Sequence, residues 1–192
     1  VWTLPKRIRV YFKYDRKLHS LIFESAWETL EHFYGRNGTP GAVMSLQTSG
    51  EALNHQPHIH SVVADGYFDK SGNLNQLPVP DSAALERYFA FSLLTKLEEK
   101  RLIESDTVNS ILEQQHTGFG VWAGQIVSAD DKPRRLFLSR YIDRCPISLQ
   151  SIKILKSGQI KYLHDSQILG KDPMDPLLFL AKLSVHIPNK WE

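Results

Sequence analysis

The chain has 192 residues, 42% hydrophobic and 23% charged, with a net charge of +2 and one cysteine. That length suffices for one domain with a substantial core. The lone Cys145 excludes an internal disulfide and a cysteine-rich zinc module, no apolar run approaches the ~20 residues of a membrane helix, and so mild a charge gives no argument for nucleic acid by itself.

Taken in order, Val1–Leu4 reads as the end of a strand, broken by Pro5. Lys6, Arg7, Arg9, Lys13, Arg16 and Lys17 form a basic cluster, for which a solvated face and a phosphate-contacting face are both open readings. From Asp15 onward, Leu18, Leu21, Ile22, Ala26, Leu30 and Phe33 recur at helical spacing, and Gly35 with Gly38 ends the helix. Thr39-Pro40-Gly41 is expected as a turn and Ala42–Thr48 as an alternating strand. A loop over Ser49–Pro57 leads into a second strand, His58–Ala64, which the pair Asp65-Gly66 turns into a hairpin. Strands this close in sequence are expected to be antiparallel neighbours. Lys70–Asn73 is a further turn.

Asp81 caps a long amphipathic helix over Ala83–Arg101, and Ser105-Asp106 caps a shorter one over Thr107–Gln115. His116–Val127 is glycine-punctuated and aromatic, a loop with a strand. Asp130–Pro133 connects to a short basic helix, Arg134–Arg144, stopped by Pro146. Ile152–Leu155 and Gln159–Leu163 form a hairpin around Ser157-Gly158, and Pro176–His186 is a last apolar helix ended by Pro188. Helices and hairpin-linked strands intermix without a βαβ rhythm. The expected fold class is therefore α+β, a central antiparallel sheet flanked by helices.

The chemistry centres on His58-Ile59-His60. Residues two apart in a strand share a face, so the two imidazoles stand side by side with Ile59 behind them. Such a pair is either a metal grip or two hydrogen-bonded surface histidines. A metal would need a third ligand. Gln47, at the end of the neighbouring strand, is favoured, while Gln56, His55, Asn54 and Glu51 lie close in sequence. Two imidazoles and an amide oxygen suit a Mg²⁺ or Mn²⁺ ion that keeps positions open for substrate oxygens. A metal hydrolase of another kind would need further His, Asp or Glu ligands on other strands. Tyr141 is the candidate nucleophile, since a tyrosine hydroxyl attacks a phosphodiester and forms a phosphotyrosine. Arg140 and Arg144 are four apart on its helix and form a plausible phosphate clamp, with Arg134 and Arg135 at the other end.

Several separated stretches resemble one family: VWTLPKRIR, SLQTSGEALNHQPHIHSVVADGYF, HTGFGVW, LSRYIDRCPIS and FLAKLSVHIP. Their order and spacing are similar to the rolling-circle insertion-sequence transposases of the HUH endonuclease superfamily. The name means His-hydrophobic-His, here His58-Ile59-His60, and it is joined by Arg140, Tyr141, Arg144, Pro146, Ile147 and Ser148 in register.

The resemblance implies a sheet carrying the histidine strand with the tyrosine helix above it. It implies nicking and rejoining of single-stranded DNA at transposon ends and target. The attack leaves a 5′-phosphotyrosine and a free 3′-hydroxyl, with Mg²⁺ or Mn²⁺ held by His58 and His60. It further implies a cytoplasmic, nucleoid-associated protein, with self-association open. Two-tyrosine relatives carry another tyrosine where this chain has Phe137, so it resembles a single-tyrosine member. Many relatives read His-Pro-His-x-His, where this chain has Gln56 before Pro57. The expectation is one catalytic domain over residues 1–192, a fragment without an amino-terminal zinc-binding module or a carboxy-terminal extension. The alternative is a truncated, catalytically silent remnant that binds single-stranded DNA.

Overall fold

A computed structural model describes residues 1–50, 53–124, 126–142, 147–162 and 173–187. The scaffold starts from two helices whose apolar residues fall on single faces. Helix α2 (His19–Tyr34) buries Leu21, Ile22, Ala26 and Leu30. Helix α3 (Ser82–Glu99) buries Leu85, Phe89, Leu93, Leu94 and Leu97, and the Asp81 carboxylate accepts from the Ala84 amide at 3.0 Å to cap it. Between the helices, Glu28 accepts from the Ser92 hydroxyl and from the Lys96 ammonium, each at 2.6 Å.

The helices pack on a five-stranded, wholly antiparallel sheet. Strand β3 (His55–Phe68) runs beside β2 (Thr39–Ser49). On its other edge, β3 meets β1 (Trp2–Thr3) and β4 (Leu74–Gln76), and β5 (Gly120–Val121) follows β1 outward. The fold is thus α+β, as expected. Ile59, fully buried, lies opposite Leu46 and across from Trp2, whose ring meets Phe89 edge-on at 5.2 Å. The Trp2 indole donates to the Ser61 hydroxyl at 2.9 Å. Every second residue of β3 therefore enters the core, and the residues between them face away from it.

Several local expectations give way to pairing. Asp65-Gly66 is no hairpin turn. Both residues lie inside β3, where Gly66 pairs with Gln76 and Tyr67 with Asn75. Gly66 holds φ +157°, and a Cβ there would stand 2.0 Å from the Asn75 carbonyl oxygen. The chain reverses at Asp69–Asn73 instead, where Asp69 accepts from the Ser71 and Asn73 amides. Thr39-Pro40 opens β2 rather than forming a turn, because these residues find partners in Phe68 and Tyr67. β2 likewise extends to Ser49 and β3 begins at His55, which shortens the expected loop.

The basic start of the chain contains a helix the periodicity did not reveal, α1 (Arg9–Tyr14), on which Phe12 is buried. α4 (Ser105–Leu112) is preceded by Glu104 at its cap position rather than capped by Ser105-Asp106. α5 begins two residues early and runs Lys132–Ile142. The expected ends at Arg144, Pro146, Leu163 and Pro188 lie outside the described residues.

A smaller core of Leu53, Tyr162 and Phe179 joins the hairpin β6 (Ile152–Ile154) and β7 (Ile160–Tyr162) to α6 (Pro176–Ser184). A column of rings ties this unit to the main body: Phe12 on His19, His19 on His55, and His55 on His186, with centroids 6.1 to 6.3 Å apart. His186 accepts from the Thr48 hydroxyl at Nδ1 and donates from Nε2 to the Leu53 carbonyl, each at 3.0 Å. Leu53 itself holds φ +59°.

Two outcomes follow from this packing. Phe89→Ala removes a ring at the centre of the core and should cost about 3–5 kcal/mol, read as a lower urea midpoint. His55 is lowered to about 4 from 6.5, first by burial and then by His19, His186, Lys13 and Arg16. The folded chain keeps it neutral while the unfolded chain takes up a proton. Stability is then fully present above about pH 6.5 and is lost as pH falls toward 4. Urea midpoints measured across that window should fall, and His55→Phe should flatten the slope.

Candidate active site

The site is built on the face of β3 turned away from Ile59. Because β3 alternates, His58 and His60 share that face, with ring centroids 5.0 Å apart. Gln47 lies directly opposite His58 in the β2–β3 register, and Ser45 lies opposite His60. In antiparallel sheets, directly paired residues project to the same side, so Gln47 stands with the histidines. Farther along, Val43 pairs with Val62, and both are exposed. This face is mostly open, and α5 crosses it.

No residue of α5 is buried, and Lys132, Arg134, Arg135 and Arg140 are exposed along it. Arg134 turns back to its own helix start, its Nε 3.4 Å from Asp131. Tyr141 is the side chain that reaches the histidines. Its ring meets His60 at 5.1 Å with an interplanar angle of 77°. Phe137, one turn earlier, stacks on the other side of Tyr141 at 5.9 Å and 22°. His58, His60, Gln47 and Tyr141 therefore gather at one place. Arg144, expected to pair with Arg140, lies outside the described residues, as does Glu51. His55 is drawn away into the ring column.

The electrostatics favour neutral imidazoles. His58 lies below its ordinary value because burial outweighs its hydrogen bond to the Gln56 carbonyl, and Arg9 adds to the lowering. His60 is lowered to about 4, by burial first and by His58 next. Neutral imidazole is the form that ligates a cation. The Nδ1 of His58 lies 2.8 Å from the Gln56 carbonyl oxygen, which only accepts. Nδ1 must carry the proton, so Nε2 keeps its lone pair, which is the arrangement metal-binding histidines use. The donor set of two imidazoles and one amide oxygen fits a small divalent ion. Among the described residues, no three His, Cys, Asp or Glu side chains cluster into a metal site, so a richer carboxylate or histidine site is not present there.

Arg9 is the residue at this site that sequence reading did not single out from its basic neighbours. Its Nε donates to the Leu4 carbonyl at 2.9 Å, and its charge reaches His58. The signal is tertiary: β1 pairs Thr3 with His58, which brings the helix that follows β1 alongside the histidine.

A family model described as "Putative transposase" (Y2_Tnp) matches residues 41–191. The chain belongs to this transposase family. No curated protein and no solved structure matches it. The match takes in all but the first two residues of β2, the histidine strand, α5 and Tyr141, and a transposase has DNA as its partner. No described helix of the transposase is long and apolar enough to cross a membrane.

The hydrogen bond to Gln56 makes the tautomer of His58 a direct test of the site. ¹⁵N–¹H correlation spectra of the neutral protein should show a protonated Nδ1 and a bare Nε2 for His58. The opposite tautomer would remove the lone pair that faces away from Gln56.

Proposed function

We propose that this transposase nicks and rejoins single-stranded DNA by tyrosine transesterification, in rolling-circle transposition, with residues 1–192 acting as the catalytic domain. The observation that carries the reading is the meeting of Tyr141 with His60 beside His58 and Gln47, on an open face crossed by a basic helix. A basic helix over an open face suits a strand whose phosphates must lie against it. Lys132, Arg135 and Arg140 would hold those phosphates in register.

In the first step the Tyr141 oxygen attacks phosphorus. The bond to the 3′ oxygen breaks, the hydroxyl proton passes to solvent, and the departing oxygen takes up a proton as a 3′-hydroxyl. The phosphate stays on Tyr141 as a 5′-phosphotyrosine. In the second step a 3′-hydroxyl attacks that phosphorus and releases Tyr141, so the phosphoester is conserved and no nucleotide cofactor is consumed. A Mg²⁺ or Mn²⁺ ion on His58, His60 and Gln47 would supply charge withdrawal from the phosphate undergoing attack. His58, fixed through Gln56, and His60, desolvated and neutral, keep the ligating face ready. Phe137 holds the Tyr141 ring from its other side but has no hydroxyl, so each chain forms one phosphotyrosine at a time. The strands cut and joined would be transposon ends and target, on nucleoid DNA, with self-association as one way to bring two tyrosines together.

Three measurements test this reading. Labelled single-stranded DNA incubated with Mn²⁺ should give a nucleotide-linked Tyr141 peptide by mass spectrometry. Tyr141→Phe should remove the adduct and lower cleavage by about 10³-fold or more. Binding of the strand without any adduct under any metal would instead make the chain a silent binder. Chelation with EDTA should stop cleavage and added Mn²⁺ restore it, while His58→Ala should leave cleavage low at all metal concentrations. Arg140→Ala should weaken strand binding and reduce its log–log salt slope by about one.

A further inference from the structure

Thr3 of β1 lies opposite His58, Leu4 and Pro5 follow it into the core, and Ile8 and Phe12 bury one side of the helical turns that come next. Arg9 sits between those two anchors, half-buried, and its Nε donates to the Leu4 carbonyl at 2.9 Å. That bond engages one edge of the guanidinium. Its remaining N–H groups have no hydrogen-bond or ion-pair partner among the described residues. Burial pushes Arg9 below its ordinary value, and no described carboxylate opposes that cost. A partly desolvated cation without a counter-ion is expensive to keep. It is also poorly placed for a site that holds a second cation, since its charge reaches His58. An anion between the guanidinium and His58 offsets both costs.

We propose that Arg9 is a phosphate ligand of the site, its free guanidinium edge holding a phosphodiester group of the bound strand beside His58; this rests on the reading of the site given above. The guanidinium presents paired donors that match two phosphate oxygens, and its Leu4 bond fixes its plane in advance. The position suits a strand as well. Tyr141 meets the histidine pair at His60, whereas β1 leads α1 to the other end, at His58. Beyond that end, Lys13 and Arg16 reach His55. A strand lying across the pair from α5 therefore finds cations on both sides of it. Arg9 then acts with opposite sign on the two ligands of the site. It attracts the strand and repels the divalent ion, so the ion is held most firmly once a phosphate is in place.

The test uses the full chain carrying Tyr141→Phe, so that a strand is bound but not joined to it. The probes are a thymidine homopolymer of about twenty nucleotides and, separately, Mn²⁺ alone, followed by electron paramagnetic resonance. Arg9→Gln keeps an N–H donor for the Leu4 carbonyl and removes the charge and the free edge. It should weaken homopolymer binding about 10- to 100-fold and reduce its log–log salt slope by about 0.7. The same substitution should tighten Mn²⁺ binding in the absence of the strand by about 2- to 10-fold. Arg9→Lys keeps the charge, so Mn²⁺ affinity should stay as it was and strand affinity should fall less than in Arg9→Gln. Arg9→Met, which keeps the packed stem, reads the same two affinities should Arg9→Gln not fold. An arginine with a merely structural role would weaken both ligands together by loosening His58. Unchanged strand affinity in the uncharged variant, or Mn²⁺ binding that weakens or does not move, would overturn the assignment. If that happens while the unsubstituted chain with Mn²⁺ still yields the Tyr141 adduct, Arg9 alone is misassigned. Failure of the unsubstituted chain to bind the homopolymer and to form the adduct would overturn both proposals.

Discussion

The two-residue period of β3 is the constraint on which the rest of the site depends. Ile59 is fully buried against Leu46 and Trp2, and this one side chain sets which face every neighbour takes. A slip of one residue would put two imidazoles in an apolar core and expose isoleucine, so the core itself defends the position of His58 and His60. β1 reinforces the register with only two paired residues. It pairs Trp2 and Thr3 with Ile59 and His58, and it anchors Trp2 against Phe89 and Ser61. The energetics of the helical core are thus passed directly to the histidine pair.

The two halves of the site are held very differently. The histidines and Gln47 sit on a paired sheet with one face buried. Tyr141 arrives on a helix with no buried residue, seated through its contacts with His60 and Phe137. A rigid half that fixes ligands and a lightly held half that presents the nucleophile suit a chemistry in which a long strand must enter between them. The desolvation that lowers both histidines follows from their placement, His58 between β2 and β1 and His60 against Tyr141.

The carboxy-terminal unit is tied to this frame by histidines of another kind. His186 spends both ring nitrogens on Thr48 and Leu53, and His55 is enclosed between His19 and His186. Four histidines near one another in sequence or space therefore serve two separate ends. His58 and His60 stand on the sheet face that α5 crosses, with His60 buried against Tyr141, whereas His55 and His186 close a seam between two cores.

By itself the sequence determined the pieces whose signals are local: the apolar stripes of α2 and α3, the Asp81 cap, the β6–β7 hairpin, and the shared face of His58 and His60. Each rests on side-chain spacing or a cap within a few residues, which is the range over which propensity acts. It also determined that β2 and β3 are antiparallel neighbours, because strands with a short connection have few other options, while the register that sets Gln47 opposite His58 comes from the pairing itself. Only the tertiary structure decided that Asp65-Gly66 continues a strand, since the partner that overrides its turn preference is β4, on the far side of a turn of its own. The same holds for Thr39-Pro40, for Arg9 beside His58, and for the meeting of Tyr141 with His60. These depend on pairings and packing between residues far apart in the chain, whose free energy exceeds local preference and leaves no periodic trace in the sequence.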